Sequence, residues 1–368
     1  MHKQLDFLPL KKVSINKVKF NKNGRFKILL PEVFGFCGGV ITALKKMESV
    51  LNECSRGQKI FLLGEIIHNS AINDYLFARK VNIIHEDNLE DVINIAGEND
   101  IIVIPAFGIA HDLEVKIREK YRFIIDTACR YVKLVWNFIE RESEKGSTII
   151  IYGQPGHQEV QAGISRASKT SCVLVIPNLA VLKKFSNIIL NKFKNDSFVT
   201  HSIFDDIKEI SLFNSAAFNI NNLALASQTT MLYDEVIAGE NILSDLSKKI
   251  NSNFISCNTI CKATYNRQNA AKNLLSKKPD VVFVIGGYDS SNTNHLFELA
   301  NQKTRTFYIK DSSYISELHV KHYIPREEKE IITLTENIFL GVDSVAVLAG
   351  ASCPFYIVKN VMDKLADI

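Results

Sequence analysis

The chain has almost no excess of one charge, no long apolar run and no even set of cysteines. Lys and Arg number 44 against 40 Asp and Glu, a net charge of only +4. That gives no broad positive field, so nucleic acid is set aside as a partner. The longest apolar runs, "DIIVIPAFGIA" and "STIIIYG", are too short and too interrupted to cross a bilayer, so no membrane role is expected. No Gly-x-Gly-x-x-Gly fingerprint follows a strand, and "GFCGG" is too short and carries a cysteine. A built-in dinucleotide site is therefore not expected. Seven cysteines, an odd number with no secretory signal, argue against a disulfide framework and for reduced thiols in a cytoplasmic setting. No Pro- or Ser-rich linker interrupts the chain, so its domains should pack closely rather than swing on tethers.

At 368 residues, 46% hydrophobic and 23% charged, the chain suits two or three globular domains. Its first 27 residues are basic, with seven Lys, one Arg and a single acid, Asp6. They lack the apolar segment of a secretory signal and are poor in the Arg and Ser of transit peptides. "KKVSINKVKF" alternates apolar and polar positions, so an added edge strand and an unstructured tail are both open there. Beyond it, β-branched apolar runs alternate with helical patterns: "RFKILL", "KIFLLGE", "DIIVIPAFG", "YRFIID", "STIIIYG", "NLALAS", "NFIS", "DVVFVI" and "SVAVLA" each lead through a polar or Gly-rich loop into a helix. The pattern predicts an α/β protein with parallel sheets covered on both faces. The run "NLAVLKKFSNIILNKFKNDSF", in the least patterned region, reads as a surface helix.

Ligands of such folds gather where strands end and helices begin. Three cysteines, Cys37, Cys129 and Cys261, occupy that position in three different stretches. If three α/β units pack around a shared axis, these loops converge. The expected spans are a basic extension over 1–27 and α/β units over 28–128, 129–258 and 259–368. A helix N-terminus lowers a thiol's pKa and favours metal binding. Spacing alone leaves three options open. A zinc site normally has a fourth ligand and closely spaced pairs, and only Cys257 and Cys261 are spaced so. An iron–sulfur cluster normally takes four cysteines, and held by three it leaves one iron open. The third option is three buried thiols with no metal.

Further polar groups share these corners. "GGYDSSNTNHL" places Ser290, Ser291 and Asn292 where a strand meets a helix, an arrangement suited to an anion. N-capping uses the same residue types but needs only one of them. "GASCP" with Ser352 and "SQTT" with Gln228, Thr229 and Thr230 are similar turns. His68 in "GEIIHN" and His157 in "GHQEV" also stand in strand-end loops, and Glu159, two residues on, is a candidate acid. His85, His201, His295, His319 and His322 read as structural or solvent-exposed.

Taken in order, "GFCGGV", "GEIIHN", "DTACRYV", "GHQEV", "SQTTM", "NTICKATYNRQ", "SSNTNHL" and "GASCP" closely resemble the 4-hydroxy-3-methylbut-2-enyl diphosphate reductases, from about Phe26 to Ala366. These are the last enzymes of the methylerythritol phosphate route to isoprenoids. The resemblance implies a trefoil of three α/β units around a central [4Fe-4S] cluster. Cys37, Cys129 and Cys261 would hold that cluster, leaving one iron open for the substrate hydroxyl. His68, Ser290, Ser291, Asn292 and Ser352 would bind the diphosphate. His157 and Thr229 would line the alcohol end, and Glu159 would deliver protons. The reaction implied is a two-electron, two-proton reductive dehydroxylation giving isopentenyl and dimethylallyl diphosphates, with electrons from a ferredoxin or flavodoxin.

The chain departs from the family pattern in several places. Phe107 stands where a second diphosphate-binding histidine is usual, with His111 four residues later. Phe donates no hydrogen bond, and a charge-assisted bond is worth roughly 1.5–3 kcal/mol. Arg130 and Tyr131 replace smaller residues, and Arg130 is a candidate replacement charge. Gln158 replaces a common proline, and the segment before "SQTT" is long. Two further readings follow: a diverged paralogue using the same cluster on another allylic or phosphorylated alcohol, or a non-catalytic iron–sulfur or zinc sensor. Glu159, Thr229 and the Ser-Ser-Asn loop argue against the sensor, which has no use for proton-delivering or diphosphate-binding groups.

Overall fold

Residues 18–55, 57–194, 204 and 207–368 are described by a computed structural model. Their strands run β1 (Val18–Phe20), β2 (Lys27–Leu29), β3 (Ile60–Leu63), β4 (Val81–Ile84), β5 (Ile101–Ile104) and β6 (Phe123–Asp126). Then come β7 (Thr148–Tyr152), β8 (Val173–Ile176), β9 (Ser211–Phe213), β10 (Asn222–Ser227) and β11 (Asn253–Ser256). The last are β12 (Val281–Ile285), β13 (Arg305–Ile309), β14 (His319–Ile324), β15 (Lys329–Leu334) and β16 (Ser344–Ala349). They form three sheets, ordered β4-β3-β5-β6, β11-β10-β7-β8-β9 and β1-β2-β16-β12-β13-β14-β15. The four-stranded sheet is wholly parallel. The five-stranded sheet is parallel except at the β9 edge. The α/β class with three parallel-rich sheets is thus borne out.

The central strands read as unbroken apolar runs because both of their faces are covered. Successive side chains point to opposite faces. Val281, Phe283 and Ile285 of β12 enter one buried cluster, which includes Val358, Val361 and Leu365 of the Phe355–Asp367 helix. Val282 and Val284 enter another, with Leu274 of the Lys262–Leu275 helix and Leu296 of the Ser291–Asn301 helix. In β7, Ile150 and Tyr152 face one core while Ile149 and Ile151 face a second. Each such fully buried side chain contributes about 1.5–3 kcal/mol.

Contacts divide the chain into two compact units. One comprises residues up to 41 with 67–75 and 262–368, and the other comprises 42–66 and 76–261. The "RFKILL" segment, expected to open a first unit, supplies β2, which pairs in parallel with β16 near the other end of the chain. β1 pairs antiparallel with β2 and is the sheet's edge strand, as the alternation near residue 20 allowed. The rest of the basic extension, residues 1–17, lies outside the described residues, as do residues 195–198 beyond the expected surface helix, which spans Leu179–Lys194.

Candidate active site

In the unit formed by 42–66 and 76–261, the "GHQEV" and "SQTT" corners meet. His157 caps the Gln158–Ile164 helix, its Nδ1 accepting the Glu159 amide hydrogen at 3.1 Å. With Nδ1 an acceptor, the neutral ring carries its proton on Nε2. Glu159 is only 2% exposed. Both its oxygens are held by Thr229, whose amide donates to Oε1 at 2.6 Å and whose hydroxyl donates to Oε2 at 2.8 Å. Burial pushes the Glu159 carboxyl up to about 7, although the two Thr229 bonds pull it down. A carboxyl poised there exchanges protons near neutral pH. The Thr229 carbonyl in turn accepts the Cys261 amide at 3.1 Å. Thr259, two residues before Cys261, ties back to Ser227 through its hydroxyl, accepting from the Ser227 amide at 2.8 Å and donating to the Ser227 carbonyl at 2.6 Å. Gln228 also belongs to this corner: its Oε1 accepts the Gln154 amide and its Nε2 donates to Thr230, both at 3.0 Å.

Phe107 lies at the same corner, its ring edge-to-face with His157. His111, four residues later, has its Nδ1 engaged by Arg166 Nη1 at 2.9 Å. Arg166 also pairs with Glu114 and covers Trp136 at 4.1 Å. Arg130 is exposed and lies over the Tyr131 ring at 4.9 Å. Cys257 packs on the core of the five-stranded sheet, and burial pushes its thiol up.

The other unit assembles the anion loops. Ser290 caps the Ser291–Asn301 helix, its Oγ accepting from the Thr293 amide at 3.4 Å and from the Thr293 hydroxyl at 2.9 Å. Capping is therefore a role Ser290 performs, whatever else it binds. Asn292 accepts the Ala351 amide at 3.1 Å and donates to Thr264 Oγ1 at 3.4 Å. Ser352 donates to the His68 carbonyl at 3.1 Å, and Asn69 donates back to the Ser352 carbonyl at 2.8 Å. His68, Ser290, Asn292 and Ser352 are thus brought together, with Ser291 beside them at the helix start. A Cβ on Gly287 would lie 2.7 Å from the His68 carbonyl oxygen, so only glycine lets the two loops approach this closely.

None of the seven cysteines is in a disulfide. Cys172 and Cys353 are fully buried, and burial pushes each thiol up to about 12, which suits packing rather than ligation. Cys37, Cys129 and Cys261 differ: each is half-buried and stands directly before a helix. The Val40 amide donates to Cys37 Sγ at 3.4 Å. As donors the three fit a thiolate-bound metal or cluster. Cys37 belongs to one unit and Cys129 and Cys261 to the other, and among the described residues no three His, Cys, Asp or Glu side chains are gathered as a ready metal site.

From the sequence, Thr264, Arg267 and Gln268 read only as polar support for the site after Cys261, and Thr259 and Asn69 carry no assigned role. The available signal was polarity: "CKATYNRQ" carries Thr264, Arg267 and Gln268 on a helix, and all three are at least 97% buried.

Residues 28–366 match the family model described as LytB protein. A protein of Prochlorococcus marinus named 4-hydroxy-3-methylbut-2-enyl diphosphate reductase is 31% identical over 359 residues, 94% of this chain and 86% of that protein. One of Crocosphaera subtropica with the same name is 32% identical over 376 residues, 96% of this chain and 88% of that one. Among solved structures, the E-1-hydroxy-2-methyl-but-2-enyl-4-diphosphate reductase of Plasmodium falciparum shares the fold, with a TM-score of 0.67 and 21% identity over 92% of this chain and 88% of that one.

Proposed function

The chain belongs to the LytB protein family, and from that membership we propose that it is a 4-hydroxy-3-methylbut-2-enyl diphosphate reductase. The reaction removes the allylic hydroxyl as water, with two electrons and two protons, and leaves isopentenyl and dimethylallyl diphosphates. The observation that carries the site assignment is Glu159: a buried carboxyl with a pKa of about 7, fixed through both oxygens by Thr229. On this reading Glu159 holds the proton for the departing oxygen. Thr229 fixes the direction in which that carboxyl points, and His157, with its proton on Nε2, offers a donor at the alcohol end. His68, Ser290, Ser291, Asn292 and Ser352 bind the diphosphate.

Cys37, Cys129 and Cys261 are the groups that would hold a [4Fe-4S] cluster, which when bound supplies electrons and an open iron as Lewis acid. An external ferredoxin or flavodoxin would deliver the electrons. No helix among the described residues is long and apolar enough to cross a membrane.

Anaerobic purification with iron and sulfide analysis, followed by dithionite-coupled turnover of 4-hydroxy-3-methylbut-2-enyl diphosphate, tests the reading. About four irons per chain with turnover supports it. Iron without turnover refutes the substrate, and zinc or no metal refutes the enzyme.

A further inference from the structure

The Lys262–Leu275 helix, which begins directly after Cys261, buries polar side chains along one stripe: Thr264 is 1% exposed, Arg267 3% and Gln268 1%. Arg267 is the costly member, because a guanidinium stays charged at any physiological pH and is expensive to take out of water. An apolar residue would fill the space without that cost. What Arg267 does that such a residue could not is donate: its Nη2 bonds the carbonyl of Gly35. Gly35 has a φ of +79°, and no atom lies within 4 Å of a Cβ built there, so glycine is required by the backbone turn rather than by crowding. Two residues later comes Cys37.

From Cys37 the bonds run back to the same helix. The Cys37 amide donates to the Ala351 carbonyl at 3.1 Å. The Ala351 amide donates to Asn292 Oδ1 at 3.1 Å, and Asn292 Nδ2 donates to Thr264 Oγ1 at 3.4 Å. Thr264 lies three residues before Arg267, and residues three apart on a helix share a face. The helix therefore grips both ends of a closed circuit through the Cys37 loop, the "GASCP" turn and the Ser-Ser-Asn loop. Arg267 also places its charge beside this circuit: burial pushes the Cys353 thiol up, while Arg267 pulls it the other way.

We infer that Arg267 is a positioning residue for Cys37, and that the Thr264–Arg267 stripe locks this metal-ligand loop to the anion-binding loop. The inference rests on the proposal that Cys37 is a cluster ligand. The circuit holds the Cys37 backbone at both Gly35 and Ala351, so the thiolate reaches its metal without first ordering a Gly-rich loop. Residues behind metal ligands typically cost about 10- to 100-fold in metal affinity when lost.

The test compares the wild-type chain with Arg267→Met, Arg267→Lys and Thr264→Val, and with Val361→Ala as a core control, since Val361 is fully buried on the opposite cluster. Each is purified anaerobically, its iron is counted, and the decay of the cluster's visible absorbance under a chelator is followed. Thermal unfolding of each metal-free chain is recorded alongside. Arg267→Met and Thr264→Val should lose iron roughly ten-fold faster than wild type. Arg267→Lys, which keeps a charge and a donor, should fall between. Val361→Ala should unfold at lower temperature without hastening iron loss. Wild-type decay rates in both Arg267→Met and Thr264→Val overturn the inference, as does equal acceleration in Val361→Ala. Should Arg267→Met fail to fold, Thr264→Val decides by the same criterion. A wild-type chain that holds no iron refutes the ligand reading itself, and the inference falls with it.

Discussion

Phe107 stands edge-to-face with His157, ring centroids 5.6 Å apart and planes at 88°. Such aromatic pairs are worth about 0.5–1.5 kcal/mol beyond their buried area. The residue at the expected histidine position therefore braces a second histidine, whose Nδ1 is already committed to the Glu159 amide. Phe107→Ala should leave the fold intact and loosen His157, lowering kcat by several-fold with a smaller change in KM, about the loss expected for an edge contact. Phe107→His adds a donor, and KM for the diphosphate should drop by about tenfold. An unchanged KM in that variant would show that this position does not meet the substrate.

Glu159→Gln keeps the volume and removes the proton. Turnover should fall by about 10²–10⁴-fold while iron content stays at the wild-type level. Full activity in Glu159→Gln rules out the acid role. In the wild type, kcat should decline about tenfold per pH unit above about 7, where burial has set the carboxyl.

Thr229→Val removes one of the two bonds that hold the Glu159 pKa down, the hydroxyl bond of 2.8 Å, and leaves the amide bond in place. The alkaline limb of the kcat profile should therefore move to higher pH. A pH–rate profile that stays where the wild type's lies, or moves to lower pH, contradicts the assignment.

Glu159 also makes stability depend on pH, with a definite sign. Its folded pKa of about 7 lies above the ordinary 4.5. Between those values the unfolded chain gives up its proton first, so the folded state binds more protons and loses stability as pH rises. Below about 4.5 there is no penalty, and above about 7 it levels off at a size on the order of 3 kcal/mol. Urea unfolding of the metal-free chain and of Glu159→Gln should show their difference growing across that window. A difference independent of pH would mean that the carboxyl is not shifted.

Gly287→Ala tests the contact between the His68 and Ser-Ser-Asn loops. The added methyl would sit 2.7 Å from the His68 carbonyl oxygen, so one loop must move. Stability should fall by about 1–3 kcal/mol, as for other overpacked sites, and KM for the diphosphate should rise while iron retention does not change. A KM equal to that of wild type would separate His68 from the substrate.

The sequence determined the class of the molecule and the corners where its candidate site residues stand. Apolar β-branched runs alternating with helical periods can bury both faces of their strands only in parallel sheets, and such sheets leave strand-end loops as the place for polar groups. "DVVFVI", "STIIIYG" and "NLALAS" accordingly became β12, β7 and β10, followed by Ser290, His157 and Thr229. Tertiary structure decided what periodicity cannot carry, because a period of two or 3.6 is local while a partner is chosen across the whole chain. It paired β2 with β16, joining the start of the chain to its end. It added the antiparallel hairpin of β14 and β15. It gave Ser290 to a helix cap, His111 to Arg166, and Phe107 to His157. Above all it explained the polar stripe after Cys261. Thr264 and Arg267 are buried because loops far away in the sequence bring them Asn292 and the Gly35 carbonyl, and only the folded chain supplies those partners.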